Sequence, residues 1–355
     1  MKAFRIFLLA SAGLVSASAA VAQEPVKVVA TIKPVYSLLS SITEGTDTET
    51  SLLVKGAASP HTYNMTPSDA RALQNANVVF WVGPALEHFM EKPLSALSSD
   101  AEVVALEDAP GVETLAPREG GAFEAHDHDH EHGEHHDDHD HAHDEHAHEE
   151  HDEHAHEDAA HAEDEHHHAE EHEHDEAHHH HDGEVDPHMW LDPENAKAFA
   201  DAMAETLAAA DPDNASVYLE NASKLDARLD GLTTQIKGQL ADIDAKPYIV
   251  FHDAYHYYGN RFGVEASGSI TVNPEAPPSA ARIREIQDKI QELNVACVFS
   301  EPQFPPKVIN AVIEGTDTRV GTLDPIGAGL EDGSDLYFQL LENLTGNLTD
   351  CFAAD

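Results

Sequence analysis

Cysteine is nearly absent: the 355-residue chain holds two, Cys297 and Cys351, too few for a disulfide scaffold. Basic residues are also few, 19 Lys and Arg against 67 Asp and Glu, and the formal net charge is -48. So acidic a chain repels polyanions, which excludes nucleic acid as a partner. No apolar run approaches the roughly 20 residues needed to span a bilayer. What is present is a hydrophobic fraction of 41%, enough for a sizeable core, so wholesale disorder is excluded. The length suits two ordinary domains or one large one.

The charge is unevenly spread. Glu124 to Asp186 carries 27 of the acids and no Lys or Arg, which leaves 40 acids against 19 bases elsewhere. The same stretch carries 24 of the 29 histidines, and only His61, His88, His188, His252 and His256 stand outside it. Residues 119–186 have almost no apolar side chain larger than alanine, so they cannot bury a core and are expected to form a disordered insertion.

Runs such as HDHDHEH and HHDDHDHAH place imidazoles beside carboxylates, so a mobile chain can assemble many transient metal sites. The candidate auxiliary ligands include His126, His128, His130, His132, His135, His136, His139, His141 and His143, and then His178, His179, His180 and His181. Clustered acid also raises the local concentration of divalent cations, an effect that salt screens. A merely solubilising linker would not need 24 histidines. A collecting or sensing role for metal is the preferred reading.

The N-terminus has Lys2 and Arg5, an apolar run from Phe7 to Val15, and small residues ending in Ala20, Val21 and Ala22. This pattern is expected for a signal peptide over residues 1–22, with cleavage after Ala22. No cysteine lies near the cut, so no lipid anchor is expected, and the mature chain is expected to be a soluble exported protein. Export implies an oxidising compartment, in which Cys297 and Cys351 are expected to pair as a disulfide that staples the last helix.

Apolar strand-like runs then alternate with helical stretches. Val26–Ile32, Thr50–Val54, Val78–Val82 and Val103–Leu106 are separated by helices near Val35–Thr43, Pro67–Ala76 and Ala85–Leu97. A second set has strands at Tyr248–Phe251, Val264–Ile270, Ala296–Ser300 and Val320–Leu323, with helices near Ala254–Phe262, Pro278–Leu293, Pro306–Glu314 and Ser334–Leu348. The expected class is α/β, two lobes each with a parallel sheet flanked by helices. The N-terminal lobe is expected over 23–192 and the C-terminal lobe over 244–355. A helical connection over 193–243 breaks at Asp211 and Pro212 and continues as a long backbone helix from Asp213 to about Asp242.

Three of the isolated histidines sit where ordered elements meet loops. His61 follows the second strand, His188 lies where the insertion returns to ordered chain, and His252 closes the strand YIVF. In open α/β sheets ligands bind outside the carboxyl ends of strands. One such histidine alone is more often a hydrogen-bonded boundary residue than a ligand. Three at matching positions point to a zinc site, since imidazole nitrogens suit zinc. Copper(II) would bind the same nitrogens at least as well, so selectivity rests also on geometry and metal supply. Asp324 at the end of the last strand is a fourth candidate, with water as the alternative, and its other role is to cap the turn at Pro325 and Gly327. His256 and His88 are expected to be supporting or merely exposed residues.

The segments GAASPHTYNMTPSDARALQNANVVFWVGPALEHFM, DPHMWLDPENA, FHDAYHYYGNRFGV, TVNPEAPPSAARIREI, CVFSEPQF and GTLDPIG resemble the zinc-uptake solute-binding proteins of bacterial ABC transporters, the ZnuA family. The resemblance covers nearly the whole mature chain. It implies two α/β lobes joined by a rigid helix, one Zn2+ held in the cleft by His61, His188 and His252, and a His- and acid-rich loop beside it. Some members have a Glu before the first histidine, where this chain has Pro60. Related manganese-binding proteins have a carboxylate at the position of His252. The implied partners are an inner-membrane ABC permease and zinc ions, with periplasmic zinc chaperones as further candidates, and a monomer is expected.

Two other functions compete. A zinc hydrolase would use the same histidines, an open metal position and a general base such as Asp253 or Glu301, but no HExxH helix is present. A pure metal buffer would make the insertion the working part and the lobes its carrier.

Overall fold

A strand buried on both faces must be apolar at successive positions, and the strand segments Lys27–Ala30, Val78–Trp81, Tyr248–His252 and Cys297–Ser300 largely are, whereas Glu49–Leu52, Glu102–Ala105 and Arg319–Thr322 are more polar and more exposed. A computed structural model describes residues 24–118, 185–271, 274 and 276–353. The expected signal peptide and the candidate histidines from His126 to His181 lie outside these residues.

The first sheet contains β1 (Lys27–Ala30), β2 (Glu49–Leu52), β3 (Val78–Trp81) and β4 (Glu102–Ala105), all parallel in the order β2-β1-β3-β4. Its helices are α1 (Lys33–Ile42), α2 (Pro67–Gln74) and α3 (Glu91–Leu97). Helix α2 starts on a capping box in which Thr66 accepts from Asp69 N–H while the Asp69 carboxylate takes the Thr66 amide. The helix expected from Ala85 begins later, because a 3-10 turn at His88–Met90 precedes α3.

Two helices lead away from this half, α4 (Pro193–Ala210) and α5 (Ala215–Leu240). Asp192 caps α4 by accepting from Glu194 N–H at 2.9 Å, and Pro193 suits its first turn. Pro212 does not open α5 as expected. The chain turns through residues 211–214 instead, and the Asp211 carboxylate is taken by the Asn214 amide and the Tyr218 hydroxyl, each at 2.8 Å. Helix α5 has 26 residues, so it is about 39 Å long, and it buries Tyr218, Leu225, Leu229, Leu232, Ile236 and Leu240.

The second sheet repeats the first. Strands β5 (Tyr248–His252), β6 (Gly268–Thr271), β7 (Cys297–Ser300) and β8 (Arg319–Thr322) run parallel in the order β6-β5-β7-β8. They are flanked by α6 (His256–Phe262), α7 (Ala280–Glu292), α8 (Lys307–Val312) and α9 (Leu336–Ala353). Helix α6 stops at Gly263, whose φ of 71° is left-handed and favours glycine. Cys297 of β7 is joined to Cys351 of α9, so the expected staple of the last helix is present.

Side chains alternate across each strand and feed separate cores. Val28 and Phe80 of the first sheet share a central core with Leu229 of α5, Leu341 of α9, and Val250 and Phe299 of the second sheet. Val29, Val79 and Trp81 face outward onto Leu73 and Met90, and Ile249 and Val298 face outward onto Ile286, Ile290 and Val312. Helix α5 packs on α1, α4 and α9, so it backs both sheets. No helix among the described residues is long and apolar enough to cross a membrane.

One buried acid stands at the end of β3. Glu87 is fully buried and accepts from the amides of Val82 at 2.8 Å and Gly83 at 3.2 Å. Burial above all, with the nearby Glu107 adding to it, raises its pKa from 4.5 to about 7 against the opposing hydrogen bonds.

Candidate metal centre

In the second sheet the chain runs from β5 to β6 on one side and later to β7 on the other. The carboxyl ends of β5 and β7 therefore flank the point where strand order reverses, the usual place for a ligand crevice. His252 is the last residue of β5 and Glu301 directly follows β7. His61 stands in the 3-10 turn Pro60–Thr62, after β2 of the first sheet. His188 opens the turn Met189–Leu191 that leads into α4.

The structure brings these three rings together. His188 Nε2 lies 3.3 Å from His61 Nε2 and 3.2 Å from His252 Nε2. The ligand atoms of all three lie within 4.8 Å of one another. His188 and His252 are 5% and 3% exposed, while His61 is partly open at the rim. Pro60, Trp190, Phe304, Pro325 and Ile326 form apolar walls around them.

On the far side of two rings stands a buried carboxylate. His188 Nδ1 lies 2.8 Å from Asp186 Oδ1, and His252 Nδ1 lies 2.8 Å from Glu301 Oε1. An ionised carboxylate only accepts, so each Nδ1 carries the proton and donates, which leaves the Nε2 lone pair facing the centre. Asp186 Oδ1 also accepts the His188 backbone amide at 3.0 Å. Burial works to raise the Asp186 pKa, but the bonds from His188 and His256 outweigh it and hold the group well below the usual carboxylate range. His61 is lowered as well, but by a different cause. Burial first, then the neighbouring His188 and His252, push its pKa well below 6.5, so it stays neutral and ligand-ready.

Asp324 does not join the three-histidine group. Its Oδ1 accepts from Ile326 N–H at 3.2 Å, Gly327 N–H at 3.1 Å and the Gln303 side-chain amide at 2.7 Å, and its Oδ2 takes Ala328 N–H at 2.6 Å. These bonds use the carboxylate as the cap of the turn, the second of the two roles expected for it. His256 supports the site from behind, with Nδ1 3.5 Å from Asp186 Oδ2. His88 is exposed and pairs with Glu91 at 3.2 Å.

Sequence reasoning missed Asp186 and Glu301 as partners of the histidines and placed Asp186 at the end of the insertion. Asp186 is 3% exposed and part of the ordered chain. Its signal was local, an acid two residues before His188. The signal for Glu301 was topological, since β7 lies beside β5. Both bases considered for a hydrolase are already committed: Glu301 to His252, and Asp253 to the Arg118 guanidinium.

The sequence profile described as "Zinc-uptake complex component A periplasmic" (ZnuA) matches residues 28–351. The chain belongs to the ZnuA family. It is 49% identical over 354 residues to the high-affinity zinc uptake system protein ZnuA of Brucella suis, covering 99% of this chain and 100% of that protein. It is 35% identical over 324 residues to the protein of the same description from Yersinia pestis, covering 91% and 90% of the two chains. Among solved structures, a crystal structure of ZnuA aligns with a TM-score of 0.67 at 20% identity, covering 93% of this chain and 100% of that one. A zinc-bound ZnuA lacking residues 138–173 of its own chain aligns with a TM-score of 0.65 at 22% identity, covering 94% and 100%. These two share the two-lobed α/β fold. The family is the periplasmic solute-binding component of zinc uptake, and it is not an enzyme family.

Proposed function

We propose that the chain captures one Zn2+ in the cleft through Nε2 of His61, His188 and His252 and passes it to an inner-membrane ABC permease. The observation that carries this reading is the spacing of the nitrogens. A tetrahedral ion with bonds of about 2.0–2.1 Å separates its ligand nitrogens by about 3.3–3.4 Å. His188 Nε2 stands 3.3 Å and 3.2 Å from its two neighbours. Three neutral imidazoles without a protein carboxylate suit zinc better than manganese.

The fourth position belongs to water, because Asp324 is committed to its turn. Asp186 and Glu301 hold the rings and offset the charge of the incoming ion from one bond away. His61, the ring at the rim, is the exchange side of the site. Residues 119–184, the bulk of the expected insertion, act as an auxiliary zinc collector or sensor, a role supported by their histidine and acid content. Residues 1–22 direct export to the periplasm as a signal peptide. The lobes span 23–192 and 244–355 with 193–243 between them, the protein acts as a monomer, and periplasmic zinc chaperones are further partners.

The test is zinc titration of a variant lacking residues Glu124 to Asp182. One tight binding event is expected, since all three histidines lie outside the deletion. Complete loss of tight binding would overturn the cleft assignment.

A further inference from the structure

The chain on either side of residues 119–184 is fastened to the segment that carries His252. Tyr257 Oη donates to the Asp186 carbonyl at 2.9 Å and accepts from Leu115 N–H at 2.9 Å. Asp186 N–H donates to the Leu115 carbonyl at 2.8 Å, which closes a ring of three bonds. Three residues along, Arg118 forks onto Asp253: Nε meets Oδ2 at 2.9 Å, Nη2 makes a closer contact with Oδ1, and Nη1 reaches Glu265 at 3.0 Å. The Arg118 and Asp253 side chains are 12% and 8% exposed, so water competes little with this pair.

Each fastening ends on the support of a zinc ligand. The Asp186 carboxylate holds His188 Nδ1, and Tyr257 fixes the Asp186 backbone. Asp253 directly follows His252, and Arg118 fixes the Asp253 carboxylate. A displacement of Arg118 or Tyr257 is thus passed to a ligand ring through a single residue, Asp253 or Asp186.

We propose that Arg118 and Tyr257 are positioning residues of the zinc site. By tying the two flanks of residues 119–184, Arg118 to Asp253 and Asp186 to Tyr257, they hold His252 and His188 at the spacing that retains the ion. The inference rests on the three-histidine reading above. It makes retention of cleft zinc depend on side chains that never touch the metal.

The experiment uses the full chain and follows zinc release to a chelator strong enough to strip weaker sites first. Absorption of Co2+ bound at the tight site is recorded in parallel as a measure of ligand geometry. The variants are Tyr257→Phe, which removes only the hydroxyl, Arg118→Met, Arg118→Lys and, as a control, His252→Ala. Tyr257→Phe and Arg118→Met are expected to release zinc about 10-fold faster, the lower end of the effect of outer partners. Their Co2+ bands should shift, and Arg118→Lys should fall between wild type and Arg118→Met because it keeps the charge and loses the fork.

Wild-type release and wild-type Co2+ bands in Tyr257→Phe and the Arg118 variants overturn the inference. So does faster release with unchanged bands and a matching fall in the melting temperature of the zinc-free protein, which is a purely structural effect. If Arg118→Met fails to fold, Tyr257→Phe and Arg118→Lys decide the question. If His252→Ala keeps tight zinc, the three-histidine reading itself fails. If it loses zinc while the other variants match wild type, only the positioning role fails.

Discussion

His188 Nε2 faces His252 Nε2 at 3.2 Å, and the Nδ1 of each ring is 2.8 Å from a carboxylate oxygen, of Asp186 in one case and Glu301 in the other. The carboxylates fix the tautomer, so two lone pairs point at one another across the centre. A cation between them turns this repulsion into two bonds, and the rings need no reorientation to make them.

Asp186→Asn and Glu301→Gln are therefore predicted to weaken tight zinc binding by about 10 to 100-fold each while preserving one zinc per chain. A competition titration against a chelator of known affinity measures this. An affinity equal to wild type in both variants would show that the carboxylates do not act on the metal.

His61→Ala, His188→Ala and His252→Ala are predicted to cost far more than His88→Ala, because each removes a direct bond to the ion. His256→Ala, which acts through Asp186, is expected to fall within the range of an outer partner, about 10-fold or less. Asp324→Ala should loosen the turn after β8 and leave the zinc stoichiometry at one. If His256→Ala proves as damaging as His252→Ala, the ligand set is wrong.

The cleft and the insertion are predicted to separate on acidification. Free imidazole protonates near pH 6.5, so zinc held by residues 124–182 should be lost steeply below about pH 6. His61 is already held neutral well below 6.5, so the cleft should keep its zinc to lower pH. The same shift has a cost for the zinc-free protein. The unfolded chain takes up a proton on His61 below about 6.5 and the folded one does not, so stability falls as pH drops from 6.5 toward the folded pKa. Melting curves with and without zinc check the second point. A peptide spanning Glu124 to Asp182 that binds no zinc at neutral pH would return that segment to the status of a charged linker.

Glu87→Gln is predicted to stabilise the protein in a pH-dependent way. The folded state holds the Glu87 proton up to about pH 7 and the unfolded state releases it near 4.5, so the glutamate subtracts stability as pH rises through this window. The gain should be under about 0.5 kcal/mol at pH 4.5 and about 3 kcal/mol at pH 8. Chemical denaturation at the two pH values measures it, and an equal effect at both would exclude the titration.

Cys297→Ser combined with Cys351→Ser removes a cross-link with a sequence separation of 54. Chain entropy alone predicts a loss of about 4 kcal/mol, with 2–4 kcal/mol typical of such bonds. Denaturation under oxidising and reducing conditions should reproduce the difference in the wild type and abolish it in the double variant.

The alternation of apolar runs with helical stretches was enough to read two α/β halves, because the central strands β1, β3, β5 and β7 are short and largely buried apolar runs. The helix backing both halves was legible from the spacing of Leu225, Leu229, Leu232, Ile236 and Leu240. Its start was not. Pro212 looks like a first-turn residue, and only the bonds from Asn214 and Tyr218 to Asp211 show the chain turning there instead.

For the site, local sequence determined which histidines stand at the ends of ordered elements, since His61, His188 and His252 each sit beside a turn. Tertiary structure decided the rest. That Glu301 backs His252 depends on β7 lying next to β5, 49 residues along the chain. That Asp324 caps its turn and leaves the histidines alone depends on the direction in which three backbone amides and Gln303 point. Composition and periodicity record which residues are apolar, acidic or able to bind a metal, because those properties belong to side chains one at a time. Whether two such groups meet is set by how the sheets and helices pack, because a contact exists only when distant segments share a place in space.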